Sequence, residues 1–357
     1  MNGPHKKGDV IGGRYQVQGF VGQGGMQFVY KAIDTVMLRE VALKTPKNSS
    51  ATKRFKRSAI VAAKVNHHNV AKTLDYVRDG DNRYLIEEFV EGSDLQEALL
   101  NNNSFIDPYL AARIFHYLAK GLAAAHHANV VHRDLKPTNI MIGGGYSLSE
   151  VKITDFGIAK MADEELIDAA EGGESTMTTS QTAVGALPYM APEAIEKPRE
   201  VGPPADVWSI GAMIFQLVTG QLPFGSGLKA VLRILREPPS AVPVFVLANP
   251  QFSPLANDLL SIAIACMNKD SAARPTADDL VRSCGRLCYA RSVRAEGVIS
   301  EYNYKAWGYI NSDRPRVFFH RSSVYGPKPI VDGSKVLFSS YSGGGADRAH
   351  PVVILND

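Results

Sequence analysis

Three cysteines in 357 residues, Cys266, Cys284 and Cys288, are too few and too odd in number for a disulfide framework, and they fit a reducing compartment. No His or Cys pair stands near them to complete a metal site. Cys284 and Cys288 are four apart and are expected to share a helix face as packed thiols. No run of 18 apolar residues exists, so no helix is expected to span a membrane. The longest apolar run, Ala241–Ala248, is short and carries a proline. The opening MNGPHKKGDVIGG has no apolar signal core, and a cytoplasmic location is expected. Charge of one sign is also scarce. Lys and Arg total 39 against 36 Asp and Glu, a net of +3 that identifies no nucleic-acid or membrane partner. What is present, 45% hydrophobic and 21% charged residues, excludes a disordered or collagen-like chain. The length predicts about two domains, three at most.

The first 90 residues read as short strands, Arg14–Val21, Val29–Ala32, Glu40–Lys44 and Tyr84–Val90, around one helix, Lys53–Val65. Helical periodicity then dominates. Leu110, Ile114, Leu118 and Leu122 recur every four residues within Pro108–Asn129. Pro204–Thr219 and Pro254–Met267 are further helices, and Thr276 is the expected cap of another. Arg282–Arg294 still reads as helical. From Gly297 the pattern returns to strands and turns as far as Leu355, enough for a small barrel held close to the preceding domain.

Five features follow one another in a fixed order. Gly22-Gln-Gly24-Gly25 lies after a strand and ahead of Phe28-Val29-Tyr30, and such glycines let backbone amides approach phosphates. Val41-Ala42-Leu43-Lys44 places one Lys on the next strand. His132-Arg133-Asp134-Leu135-Lys136-Pro137-Thr138-Asn139 combines a carboxylate for an attacking hydroxyl, a Lys for the moving phosphoryl group and an amide oxygen for a metal. Asp155-Phe156-Gly157 supplies a charged metal ligand, and a few oxygen ligands of this kind suit Mg²⁺. Ala191-Pro192-Glu193, Asp206-Val-Trp208-Ser-Ile-Gly211 and Arg274-Pro275-Thr276 complete the set.

From Gly8 to Tyr289 the chain resembles the Hanks-type Ser/Thr protein kinases, most closely the bacterial ones. The resemblance implies an α+β, two-lobed kinase fold: an extension over 1–13, an N-lobe over 14–90 and a C-lobe over 91–290. It implies ATP and Mg²⁺ or Mn²⁺ as cofactors and protein Ser/Thr hydroxyls as acceptors. Asp134 would be the catalytic base, with Lys136 and Lys44 on the phosphates. Val21, Gly22, Gly24, Gly25, Val29, Ala42, Glu88 and Val90 would bind ATP, and Asn139 and Asp155 the metal. Glu193 and Arg274 would form a buried ion pair. Thr178, Thr179 and Thr182, with Ser175, Thr176 and Ser180, are candidate phosphosites of the activation loop, where a phosphate would pair with Arg133.

Three positions depart from the family. Gln27 replaces the third loop glycine, which bacterial members tolerate. Ser58 stands where the N-lobe helix normally gives Lys44 a Glu partner, and no Glu occurs between Glu40 and Glu87. Glu87, at the usually apolar position before the hinge, is the expected replacement, since a carboxylate there needs a partner. Ala186 replaces a Thr whose hydroxyl bonds the catalytic Asp and Lys. Two readings follow: a kinase of reduced or conditional activity, or an ATP-binding scaffold without transfer.

Residues 296–357 resemble a cold-shock domain, a small all-β OB-type barrel, through KAWGYI and VFFHRSS. The resemblance implies that Trp307, Tyr309, Phe318 and His320 share a face that stacks single-stranded RNA or DNA. Against it stand Glu301 in place of an exposed Trp, Arg321 in place of an aromatic, and a net charge of only +1.

Overall fold

The alternation before residue 90 builds one antiparallel sheet in the computed structural model, which describes residues 3–23, 27–47, 52–101, 103–156, 185–313 and 316–356, except the side chains of 52–54, 57 and 58. Its strands are β1 (Val10–Ile11), β2 (Tyr15–Gln23), β3 (Gln27–Asp34), β4 (Arg39–Pro46), β5 (Thr73–Asp79) and β6 (Asn82–Glu88), in the order β1-β2-β3-β4-β6-β5. The register pairs Val29 with Lys44, Lys31 with Ala42, and Ala42 with Glu87. Alternate residues share a face. Tyr30, Ala32, Val41, Leu43, Tyr84 and Ile86 therefore form one buried face with Tyr15 and Val17. Val29, Ala42, Lys44, Leu85 and Glu87 lie on the other, where helix α1 (Thr52–Ala62) packs Phe55 and Ala59 against Leu85. The amino-terminal extension folds onto the first face, with His5 between the rings of Tyr30 and Tyr84.

The C-lobe is built on α2 (Pro108–His127), whose Leu110, Ile114, Leu118 and Leu122 are buried as their spacing predicts. Asp107 caps it, accepting from the amides of Tyr109 and Leu110. Around it lie α3 (Pro192–Glu196), α4 (Pro203–Thr219), α5 (Leu228–Arg236), α6 (Val244–Ala248), α7 (Ser253–Cys266) and α8 (Ala277–Arg286). Thr276 and Asp279 close a reciprocal capping box on α8. Helices α4 and α7 meet at Gly211, where an added Cβ would stand 2.5 Å from Cys266 Cβ and 2.8 Å from the Ala263 carbonyl oxygen. A small sheet, β7 (Ser93–Asp94), β8 (Ile140–Gly143) and β9 (Glu150–Ile153), flanks the catalytic segment.

The helical reading of Arg282–Arg294 is corrected. Helix α8 ends at Arg286 and Leu287 is extended. The chain is drawn away because Tyr289 Oη bonds His116 Nδ1 at 2.7 Å and Arg294 reaches Asp107. Cys284 and Cys288 consequently share no helix face: Cys284 is buried in α8 and Cys288 is exposed beyond its end.

Strands β10 (Ala295–Asn303), β11 (Trp307–Asn311), β12 (Val317–His320), β13 (Val324–Tyr325), β14 (Lys335–Tyr341) and β15 (Arg348–Ile354) form the second unit. Their order is β12-β11-β10-β14-β15-β13, and Phe318 of β12 also pairs with Arg348 of β15, which closes a small barrel. Ile299, Ile310, Val317, Phe319, Val336, Phe338 and Val352 fill it. Tyr304 and Lys305, both at φ 54°, form the tight β10–β11 turn.

The barrel is docked on the C-lobe. Phe105 and Phe252 of the lobe cluster with Tyr325 and Val353 of the barrel. Tyr325 Oη donates to the Val218 carbonyl at 2.8 Å, and Asn249 Nδ2 donates to the Ser322 carbonyl at 2.8 Å. Gly326, at φ 123°, lies so close to Phe105 that a Cβ would come within 2.5 Å of its ring. Arg294 grips Asp107 with two bonds of 2.8 Å, both side chains nearly inaccessible. Asp107 thus holds a helix end and the barrel together.

Candidate active site

Asp206 on α4 shapes the catalytic segment from beneath. Fully buried, it accepts the amides of His132 at 2.8 Å and Arg133 at 2.7 Å and meets His126 Nε2 at 3.0 Å. These bonds support Arg133 at φ 70°, a left-handed conformation unfavourable for any residue with a Cβ. His132 bonds the Thr154 carbonyl at 2.8 Å, and its ring meets that of Phe156. The segment is thereby fixed to Asp155, itself at φ 63°.

Asp134, Lys136 and Asn139 come together. Lys136 Nζ lies 2.8 Å from Asp134 Oδ2. Asn139 Nδ2 donates to the Asp134 carbonyl at 2.7 Å and to Asp134 Oδ2 at 3.1 Å, which turns its Oδ1 away from them. Across the cleft, Lys44 Nζ lies 2.6 Å from both Asp155 Oδ1 and Glu87 Oε2. Strand parity explains the second contact: Glu87 is opposite Ala42, two residues from Lys44 on the same face. Burial alone would lower the Lys44 pKa, but the two carboxylates outweigh it and raise it above the ordinary lysine value. Burial raises Glu87, against the pull of Lys44. Burial also opposes ionisation of Asp155, yet Lys44 and the hydrogen bond from Gln27 hold it below the usual carboxylate range.

Val29 and Ala42 line the cleft face of the sheet, Val21 and Gly22 lie on β2, Glu88 ends β6, and Val90 follows. Gly24, Gly25, Thr178, Thr179 and Thr182, with Ser175, Thr176 and Ser180, lie outside the described residues, as does the Ser58 side chain. Ala186 precedes the short turn Leu187–Tyr189. Glu193 and Arg274 form a bidentate pair at 2.6 and 2.8 Å. Trp307 is opposite His320 and Tyr309 opposite Phe318, so these four lie on one barrel face.

Two roles escaped the reading of the sequence, that of Lys152 altogether and that of Gln27 beyond its place as a replaced loop glycine. Lys152, almost fully buried, lies 2.5 Å from Glu88 Oε1 and 3.0 Å from Glu150 Oε1, tying the end of β6 to β9. Its position three residues before Asp155 was the only signal. Gln27 donates from Nε2 to Asp155 Oδ1 at 2.9 Å, and its buried Oε1 finds no partner among the described residues. Asp155 and the turned-out Asn139 oxygen are hard oxygen donors of the kind Mg²⁺ takes together with phosphates and water.

The family model "Protein kinase domain" matches residues 15–284. The serine/threonine-protein kinase PrkC of Bacillus subtilis is 33% identical over 242 residues, covering 66% of this chain and 35% of PrkC. A probable serine/threonine-protein kinase, PknB of Corynebacterium glutamicum, is 31% identical over 291 residues, 78% of this chain and 43% of PknB. The chain spans about a third to two fifths of the length of these curated relatives. Among solved structures, Rad53 1–466 in complex with AMP-PNP matches with a TM-score of 0.58 at 24% identity, over 76% of this chain and 64% of that one, a likeness of fold. A kinase-domain match over most of the chain, on a two-lobed fold that brings Lys44, Asp134, Asn139 and Asp155 to one cleft, shows that this chain belongs to the protein kinase family.

Proposed function

We propose that the chain is a Ser/Thr protein kinase that transfers the γ-phosphoryl group of ATP to protein hydroxyls. The observation that carries this reading is the convergence of Asp134, Lys136 and Asn139 opposite the Lys44–Asp155 pair. Asp134 orients the acceptor hydroxyl and takes its proton. Lys136, 2.8 Å from Asp134, neutralises charge developing on the transferred group. Lys44 holds the α- and β-phosphates, and Glu87 keeps it in place. Val29 and Ala42 pack on the adenine, and the backbone of Glu88 and Val90 reads its edge. Asp155 and Asn139 would hold Mg²⁺ or Mn²⁺, which supplies charge neutralisation on the phosphates when bound. The nearest test is transfer of labelled γ-phosphate to a generic basic protein. Transfer that disappears in Asp134→Asn supports the reading. ATP binding without transfer favours the scaffold. Label mapped to Thr178, Thr179 or Thr182 identifies loop autophosphorylation.

A second activity is favoured by the barrel face. Trp307, Tyr309 and Phe318 touch ring to ring at 5.9 to 6.1 Å while staying partly exposed, and the Arg316 guanidinium lies 3.8 Å from the Tyr309 ring. Such a surface stacks unpaired bases. In this reading the unit is an OB-type, cold-shock-like module for single-stranded RNA or DNA that modulates the kinase. Glu301, paired with Arg316 at 2.5 Å, limits its positive potential. Binding of a labelled oligonucleotide that Trp307→Ala abolishes supports it, and equal binding by the variant opposes it. Among the described residues no helix is long and apolar enough to cross a membrane.

A further inference from the structure

Gln27 occupies the position at which the family has a loop glycine, and its side chain is not directed to solvent. It lies two residues before Val29, whose strand partner is Lys44, so Gln27, Val29 and Lys44 share the cleft face. The residue is 5% exposed. Its Nε2 donates to Asp155 Oδ1 at 2.9 Å, on the oxygen that Lys44 Nζ also approaches at 2.6 Å. The carboxylate dictates this orientation, because an amide oxygen turned toward it would be repelled. Among the described residues the amide oxygen, buried, has no hydrogen-bond partner. Buried polar atoms in folded proteins are almost always satisfied, and one that is not calls for an explanation.

The explanation lies in what Asp155 is for. A divalent cation on Asp155 repels N–H groups and takes oxygen donors. Rotation of the Gln27 carboxamide about its last side-chain bond exchanges Nε2 for Oε1 without moving the strand. A glycine offers neither group.

We propose that Gln27 is a metal-responsive positioning residue. Without a cation its N–H holds Asp155 in place. With Mg²⁺ on Asp155 the carboxamide turns, and Oε1 joins the oxygen shell of the cation, directly or through a bound water. The oxygen that no described residue satisfies thus gains a partner in the loaded site. The inference rests on the ATP and Mg²⁺ site proposed above.

The test is equilibrium binding of a fluorescent, non-hydrolysable ATP analogue to the full chain at increasing free Mg²⁺. Gln27→Met keeps the length and removes both polar groups. It should raise the half-saturating Mg²⁺ by about tenfold, the usual scale for losing a group that supports a metal ligand. Gln27→Glu keeps an oxygen at either end but faces Asp155 with like charge. It should lower the metal-free melting temperature, lower the half-saturating Mg²⁺, and gain more in melting temperature than the wild type when Mg²⁺ is added. Should Gln27→Met fail to fold, Gln27→Glu decides alone. An unchanged or lowered Mg²⁺ requirement in Gln27→Met overturns the inference while leaving the kinase reading intact. So does a Gln27→Glu protein that needs more Mg²⁺. No nucleotide binding by the wild type at any Mg²⁺ concentration removes both.

Discussion

Lys44 Nζ stands 2.6 Å from Glu87 Oε2, and the carboxylate comes from the strand that ends at the hinge. Ala42 and Glu87 are register partners, so this pair is built into the sheet. It does not depend on where helix α1 lies. Ser58→Ala, at the helix position that gives other kinases their Glu, is therefore expected to keep wild-type transfer. Initial rates at saturating ATP check this. A large loss would mean that α1 takes part in holding Lys44.

The docking of the barrel depends on a buried ion pair. Removing one partner leaves the other charged and unpaired, so Arg294→Met is expected to cost roughly 3–5 kcal/mol. Asp107→Asn keeps an oxygen for the α2 cap but loses the charge, and should cost a similar amount. The double variant should be less destabilised than the sum of the two. Denaturant unfolding of all four proteins gives the cycle. Additive losses would show that the pair contributes nothing as a pair.

Docking should weaken in mild acid. His350 is stacked on Phe252 and bonded through Nε2 to Tyr109 Oη at 3.2 Å. Burial lowers its pKa, Asp107 opposes the shift and Arg294 adds to it. A lowered folded-state pKa means that the unfolded chain binds more protons. The His350 contribution is thus complete above the ordinary histidine range and is lost as pH falls through that range toward the folded value. Melting temperature should fall between pH 7.5 and 5.5, and His350→Phe should flatten the slope. Equal slopes would remove His350 as the cause.

The close contact of α4 and α7 leaves no space for a side chain at Gly211. Gly211→Ala should destabilise the C-lobe by about 1–3 kcal/mol, because the obstructing atoms include a backbone carbonyl. Thermal unfolding checks it, and an unchanged midpoint would show that the helices separate freely.

Much of this was legible in the residues. The four-residue spacing on α2 gave its buried face, and the Thr276 cap gave the start of α8, because both signals are local. The catalytic groups were legible because Asp134, Lys136 and Asn139 are close in sequence. What periodicity could not show was contact at a distance. The end of α8 is set by His116 and Asp107, more than 170 residues earlier, and Arg282–Arg294 carries no local mark of it. The course of Gln27 was illegible for a related reason. At a position where the family has a loop glycine the residue reads as a tolerated replacement, and the cleft face of β3 and the position of Asp155 are what turn it inward. Strands β5, β8 and β9 were missed in the sequence.

The most direct test of the account is the rate of γ-phosphoryl transfer by Glu87→Gln, measured beside the wild type with Asp134→Asn as the zero. Glu87→Gln is nearly isosteric and removes the charge that positions Lys44. The account predicts a loss of about a hundredfold in rate, the scale set by deleting one preorganised electrostatic group, with the fold retained. Transfer by Glu87→Gln at the wild-type rate would contradict it, since Lys44 would then work without the partner that β6 supplies.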